Sequence, residues 1–90
     1  KLGRIAGPDP QPNEVRLMQD AEIWAARLDG DIEVIHPLAR GRRAWVQVAK
    51  GEIALDEEIL NAGDGAAVTD QDQVVVCSKA PSEVLLFDLA

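Results

Sequence analysis

Closely spaced turn signals divide this chain into short apolar runs, and that punctuation constrains its fold more than anything else in it. Asp29-Gly30-Asp31, Arg40-Gly41-Arg42, Lys50-Gly51, Asp56-Glu57 and Asn61-Ala62-Gly63-Asp64-Gly65 all read as turns. Between them lie runs rich in Val, Ile, Leu and Ala, the pattern of a β-sandwich or barrel. Strands are predicted over residues 15–18, 21–28, 32–38, 44–49, 52–55, 58–60, 66–69, 73–78 and 84–89. Alternation puts Ile32, Val34, His36 and Leu38 on one strand face, and Ala44, Val46 and Val48 on another. The last two strands carry apolar residues on both faces, which suits burial between layers. Residues 13–28 have partial helical spacing through Val15, Met18, Glu22, Ala25 and Ala26, but Ile23-Trp24 and the flanking turn signals favour strands.

The stretch Gly7-Pro8-Asp9-Pro10-Gln11-Pro12-Asn13 forbids helix and interior strand. Residues 1–14 are therefore expected to be a linker or N-terminal arm, and residues 15–90 the folded domain. A chain of 90 residues makes one domain, near the lower size limit for burying its own core. The only aromatic residues are Trp24, Trp45 and Phe87, so the core must be built from Val, Leu, Ile and Ala. A formal net charge of −7 argues against nucleic acid and against anionic membrane surfaces as partners.

Cys77 is the sole cysteine, which rules out an internal disulfide and fits a reducing compartment, so a cytoplasmic location is expected. Within the run Val74-Val75-Val76-Cys77 a buried, inert thiol is expected. No apolar stretch approaches the roughly 18 residues that would span a bilayer, and the N-terminal residues do not read as a signal peptide. The chain does not begin with Met, which leaves open a missing half that carries the chemistry.

The central segment runs Gly41-Arg42-Arg43-Ala44-Trp45-Val46-Gln47-Val48-Ala49-Lys50-Gly51-Glu52-Ile53-Ala54-Leu55, followed by Leu60-Asn61-Ala62-Gly63-Asp64-Gly65-Ala66-Ala67-Val68. A strand, a glycine hairpin, a return strand and a Gly-Asp-Gly turn are similar to the core of cupin barrels. Met18-Gln19-Asp20-Ala21-Glu22-Ile23-Trp24 and the ending Glu83-Val84-Leu85-Leu86-Phe87-Asp88-Leu89 narrow the likeness. Together they resemble the C-terminal cupin domain of pirin-like, quercetinase-like bicupins, over nearly the whole chain from Val15. The resemblance implies an all-β, cupin-type jelly-roll barrel of about eight or nine short strands in a single domain. It also implies a partner N-terminal cupin that binds a metal, often iron, and a parent protein of the quercetin 2,3-dioxygenase type.

A metal-binding cupin supplies three histidines and a glutamate. Aligned on Gly51, the glutamate position falls on Ala44, and the histidine pair on Pro37 and Ala39 or on Leu38 and Arg40; the third histidine falls on Ala66. A non-haem metal needs several converging N or O ligands, and this chain has one histidine. No catalytic, cofactor-binding or metal-binding residue is therefore assigned, and no cofactor is expected in this chain.

Five residues are singled out as ligand or interface candidates: His36, Arg40, Arg42, Arg43 and Trp45. His36 could act as a general base in a barrel mouth, but a hydrogen-bonded structural histidine is the expected role. Arg40, Arg42 and Arg43 form a basic cluster that is either an anion site or a solvated turn, and the turn is favoured. Trp45 lies opposite Ala44, Val46 and Val48, where it caps the barrel or packs on another domain. The Asp56-Glu57-Glu58 and Gly63-Asp64-Gly65 segments lack the ligand spacing of a calcium loop and the helix of a phosphate site, and both are read as turns.

The expected role is a non-catalytic, metal-free domain that supports a metal-binding N-terminal cupin of the same parent chain. The alternatives are a stand-alone cupin holding a small molecule without metal, or a homodimerising module. The discriminator between support and ligand binding is whether the barrel interior is filled or open.

Overall fold

Strict side-chain alternation decides which residues of each strand face inward, and two sheets close over those residues. The computed structural model describes residues 2–16 and 20–90. Ten strands follow one another: β1 (Leu2–Gly7), β2 (Val15–Arg16), β3 (Ala21–Leu28), β4 (Glu33–Pro37), β5 (Arg43–Lys50), β6 (Glu52–Leu55), β7 (Glu58–Asn61), β8 (Gly65–Val68), β9 (Gln73–Ser78) and β10 (Ser82–Leu89). One sheet has the order β2-β1-β3-β10-β5-β8, the other β4-β9-β6-β7. No strand ladder joins the two sheets among the described residues, so the jelly roll is a flattened sandwich.

The alternation is plain in β5 and β10. Ala44, Val46 and Val48 are buried while Trp45 and Ala49 are exposed; Ser82, Val84, Leu86 and Asp88 are buried while Glu83, Leu85, Phe87 and Leu89 are half-buried. Leu28, Val46, Val48, Ile53, Val74 and Leu86 form the centre of the core. Burying each such side chain contributes about 1.5–3 kcal/mol. The interior is thus filled by aliphatic side chains, as the scarcity of aromatic residues requires.

Part of the expected arm departs from that reading. Residues 2–7 are strand β1, paired antiparallel with β3 through Leu2↔Ala26, Gly3↔Ala25 and Arg4↔Trp24. This addition brings the described residues to ten strands, one more than the nine predicted. The predicted strand over 15–18 is described only as Val15–Arg16, because residues 17–19 lie outside the described residues.

Arg4 gives the physical reason for the departure. Its guanidinium donates to Glu14 Oε1 at 2.7 and 3.0 Å, to Asp9 Oδ1 at 3.0 Å and to Glu22 Oε2 at 2.9 Å. The proline-rich segment is thereby fastened across β1. The hydrogen bond from Arg4, helped by the Gln11 N–H, holds the Glu14 carboxyl below its ordinary value. A depressed folded-state value means that the contribution is complete above the unfolded value and is lost as pH falls through the folded one. The difference in urea midpoint between the native chain and Glu14→Gln is therefore expected to be largest at neutral pH. It should begin to close below pH 4.5, the ordinary glutamate value. A difference that stays constant into strong acid would refute this role for Glu14.

Candidate functional site

Among the described residues, the inner faces carry a cluster of charged side chains at the end of the sandwich where β10 finishes. His36 faces inward because it shares the face of Val34 on β4 and of Leu38 just beyond the strand. Asp88 faces inward because it continues the Val84 and Leu86 face of β10. The two meet at 2.8 Å, His36 Nε2 to Asp88 Oδ2, with each residue only 5% exposed. Arg42, just before β5, donates from Nε to Asp88 Oδ1 at 2.5 Å and from Nη2 to the Asp88 carbonyl at 3.1 Å. It also reaches Asp20, through Oδ2 at 3.1 Å and the carbonyl at 3.3 Å. The Asp88 carboxylate holds the Arg42 guanidinium above its ordinary value.

Across the interior, the Trp24 ring lies tilted against the His36 imidazole, with centroids 5.1 Å apart. Trp24 Nε1 donates to Glu22 Oε1 at 3.2 Å, and the other Glu22 oxygen accepts from Arg4. Glu22 pairs with Asp88 across the β3–β10 ladder. Two carboxylates therefore sit side by side, and each has its own arginine: Arg4 for Glu22 and Arg42 for Asp88. Without those cations the pair would be mutually repulsive in a poorly hydrated site. Among the described residues, no buried side-chain nitrogen or oxygen lacks a hydrogen-bond partner. The cluster is closed on itself.

The five singled-out residues separate in space. His36 is a hydrogen-bonded interior histidine; its partner Asp88 was missed. The signal was present, because a period of two in Glu83–Leu89 puts one acid on an otherwise apolar face. The arginine cluster does not act as a unit. Arg42 folds inward to Asp88, which corrects the solvated-turn reading for that residue, while Arg40 and Arg43 are exposed. Arg40, Arg42 and Arg43 line an open cleft together with Leu38, Asp72 and Gln73, and His36 is not part of its wall. Trp45 is 40% exposed on the outer face of the six-stranded sheet.

Cys77 needs a correction. Val74, Val76 and Ser78 take the inner face of β9, so the thiol points outward and is half-buried. Partial burial and the neighbouring Glu33 carboxylate push its pKa up, which keeps the thiol protonated and unreactive.

The residues do not fit a cupin metal centre. Ala44 is an inward core residue, 2% exposed, and Ala66 packs against that core. Leu38 is buried, whereas Pro37, Ala39 and Arg40 are exposed. No group of three or more His, Cys, Asp or Glu among the described residues is arranged to hold a metal ion. The Asp88 carboxylate that meets His36 and the Glu22 carboxylate beside it are both taken up by guanidinium groups.

Two facing sheets in this strand order define a cupin domain of jelly-roll type; the Gly51 turn, expected as a hairpin, instead carries the chain from β5 in one sheet to β6 in the other. The comparisons place it further. The family model for the quercetinase C-terminal cupin domain matches residues 4–89, and the chain belongs to that family. Quercetin 2,3-dioxygenase of Escherichia coli is 33% identical over 85 residues, which cover 94% of this chain and 37% of that protein. The crystal structure of the bacterial pirin YhhW in complex with nickel(II), from Escherichia coli, superposes with a TM-score of 0.94 at 31% identity, covering 99% of this chain and 39% of that one. YhaK from Escherichia coli gives 0.87 at 28% identity, covering 99% and 41%. The chain thus spans little more than a third of the length of these relatives. No helix among the described residues is long and apolar enough to cross a membrane.

Proposed function

We propose that this is a metal-free, non-catalytic cupin domain that braces a metal-binding N-terminal cupin within a cytoplasmic, pirin-like and quercetinase-like protein. One observation carries the reading: the inward positions that a metal cupin gives to its ligands hold Ala44, Leu38 and Ala66, and the one imidazole is committed to Asp88. The relatives add support. Most of their length lies outside the matched region, and one of them is described with nickel(II). Oxidative chemistry on a quercetin-like substrate then belongs to the rest of the parent chain, and iron or another metal is held there. The free, unpaired Cys77 accords with the cytoplasm.

The rival reading, a small molecule held inside the barrel, has less behind it, since Leu28, Val46, Ile53 and Leu86 fill the space between the sheets.

The test is the metal content of the full-length parent protein, measured by plasma mass spectrometry after exhaustive dialysis. His36→Gln, with folding checked by circular dichroism, is expected to leave the metal-to-protein ratio unchanged. A folded variant that loses metal in proportion would overturn the reading, because it would make His36 a ligand.

A further inference from the structure

The segment Arg40-Gly41-Arg42-Arg43 concentrates positive charge in a chain of net charge −7, and the fold sets acidic residues against it. At the end of the sandwich where β5 begins, an open cleft of about 1010 Å³ lies outside the filled core. One side is the β4–β5 turn, with Arg40, Arg42 and Arg43. The other is built from the β8–β9 loop, with Asp70 and Asp72, and the β6–β7 turn, with Asp56. Leu38 and Val75 supply an apolar base. The volume matches the top of the roughly 300–1,000 Å³ range of small-molecule sites.

The opposed charges do not neutralise one another. Arg42 is committed to Asp88 and Asp20. Among the described residues, Arg40 and Arg43 make no ion pair, and neither do Asp56, Asp70 and Asp72. Each side thus keeps its charge for a third group.

Both sides are held by bonds of their own. The Arg42 N–H donates to the Ala39 carbonyl at 3.0 Å, and Gly41 makes the turn at φ +83°. The Leu38 N–H donates to the Asp72 carbonyl at 2.9 Å, which ties the two loops together. Asp70 sits at φ +57°, a conformation that Asp and Asn adopt more readily than other residues with side chains. A site whose walls are already ordered loses less entropy on binding.

We propose that this cleft binds a small zwitterion, a molecule with a carboxylate at one end and an ammonium group at the other. Arg40 and Arg43 receive the carboxylate, since the planar guanidinium fork matches its two oxygens. Asp70 and Asp72 accept from the ammonium group, and an aliphatic linker lies over Leu38 and Val75. The charge pattern rejects simpler ligands. A plain anion meets Asp56, Asp70 and Asp72, and a plain cation meets Arg40 and Arg43. The site needs no metal, and it stands whether or not the domain braces another.

Ligand-observed NMR titration of the full-length parent protein tests this. The probes are glycine, 4-aminobutyrate and 6-aminohexanoate, a series of growing charge separation, with hexanoate and hexylamine as single-charge controls. One member of the series is expected to bind about fivefold more tightly than either control, the worth of one exposed charge pair. Arg40→Gln with Arg43→Gln, and separately Asp70→Asn with Asp72→Asn, should each weaken that member about fivefold. All four side chains are exposed, so circular dichroism should be unchanged. Hexanoate bound as tightly as the best zwitterion would make the cleft a plain anion site and overturn the proposal. Zwitterion binding that neither double variant weakens would place the site elsewhere in the parent protein. No binding by any member of the series would make the cleft a solvated surface. Either of these last two results also overturns it.

Discussion

Asp88→Ala is expected to destabilise the domain by about 3 kcal/mol, at the lower end of the cost of breaking a buried ion pair. The change removes the acceptor shared by His36 and Arg42; it leaves His36 facing an apolar interior and Arg42 with only Asp20 and the Asp88 carbonyl. Arg42 sets the lower end, since its side chain keeps 19% of its surface in water and can be partly rehydrated. With a denaturant slope of about 1 kcal/mol/M for a small protein, the urea midpoint should fall by about 3 M. Ionic and apolar accounts of the cluster can be separated in the same experiment. Replacing the three residues together, His36→Leu with Asp88→Leu and Arg42→Met, should recover most of the loss, because no unpaired charge is left behind. A loss for Asp88→Ala within about 0.5 kcal/mol, the range of ordinary surface substitutions, would show that the cluster is not a stabilising element.

Gly51→Ala is the second large effect, at about 3 kcal/mol or more. Gly51 turns β5 into β6 with φ +87°, a region that costs an L-residue about 1–2 kcal/mol. A Cβ there also meets the Pro81 carbonyl and Ser82 Oγ, with Ser82 Cα at 2.8 Å. The Ser82 hydroxyl is already in place, accepting from Glu52 N–H at 3.1 Å. The β5–β6 turn is thus pressed against the start of β10, and neither backbone can yield alone. Gly41 provides the control: its φ is +83°, but a Cβ would meet nothing within 4 Å. Thermal or urea unfolding should therefore rank Gly51→Ala well below Gly41→Ala. Equal stability of the two variants would mean that the close approach, as distinct from the backbone angle, contributes nothing.

Local chemistry made much of this fold legible. Turn residues marked strands β3 to β9, and period-two alternation assigned Ala44, Val46 and Val48 to the core side before any pairing was known. The same alternation put Trp45 on the opposite face but left open whether it caps the barrel or packs on another domain; the structure turns it outward. What local pattern could not carry was pairing between distant segments. β1 holds two glycines and an arginine, and it is a strand because β3 offers it a ladder. Arg42 looked like its exposed neighbours Arg40 and Arg43, and its partner Asp88 lies 46 residues away. Cys77 sits in an apolar run that reads as buried throughout, and only the division into inner and outer faces shows that every second residue of β9 points away from the core. The candidate site was therefore half visible: the histidine was identified, and the acid and the arginine that close it were not.

The place of β10 in the sheet also bears on how the domain is made. It follows all other strands in the chain, yet it lies between β3 and β5. On the ribosome, β3 and β5 emerge first, and each must wait with an open edge until the last strand threads between them. The two longest ladders, and the His36–Asp88 contact with them, therefore form only after synthesis has passed Leu89. Unpaired apolar edges of this kind attract other chains. A nascent chain stalled before β10 should therefore depend on chaperones far more than one stalled after it.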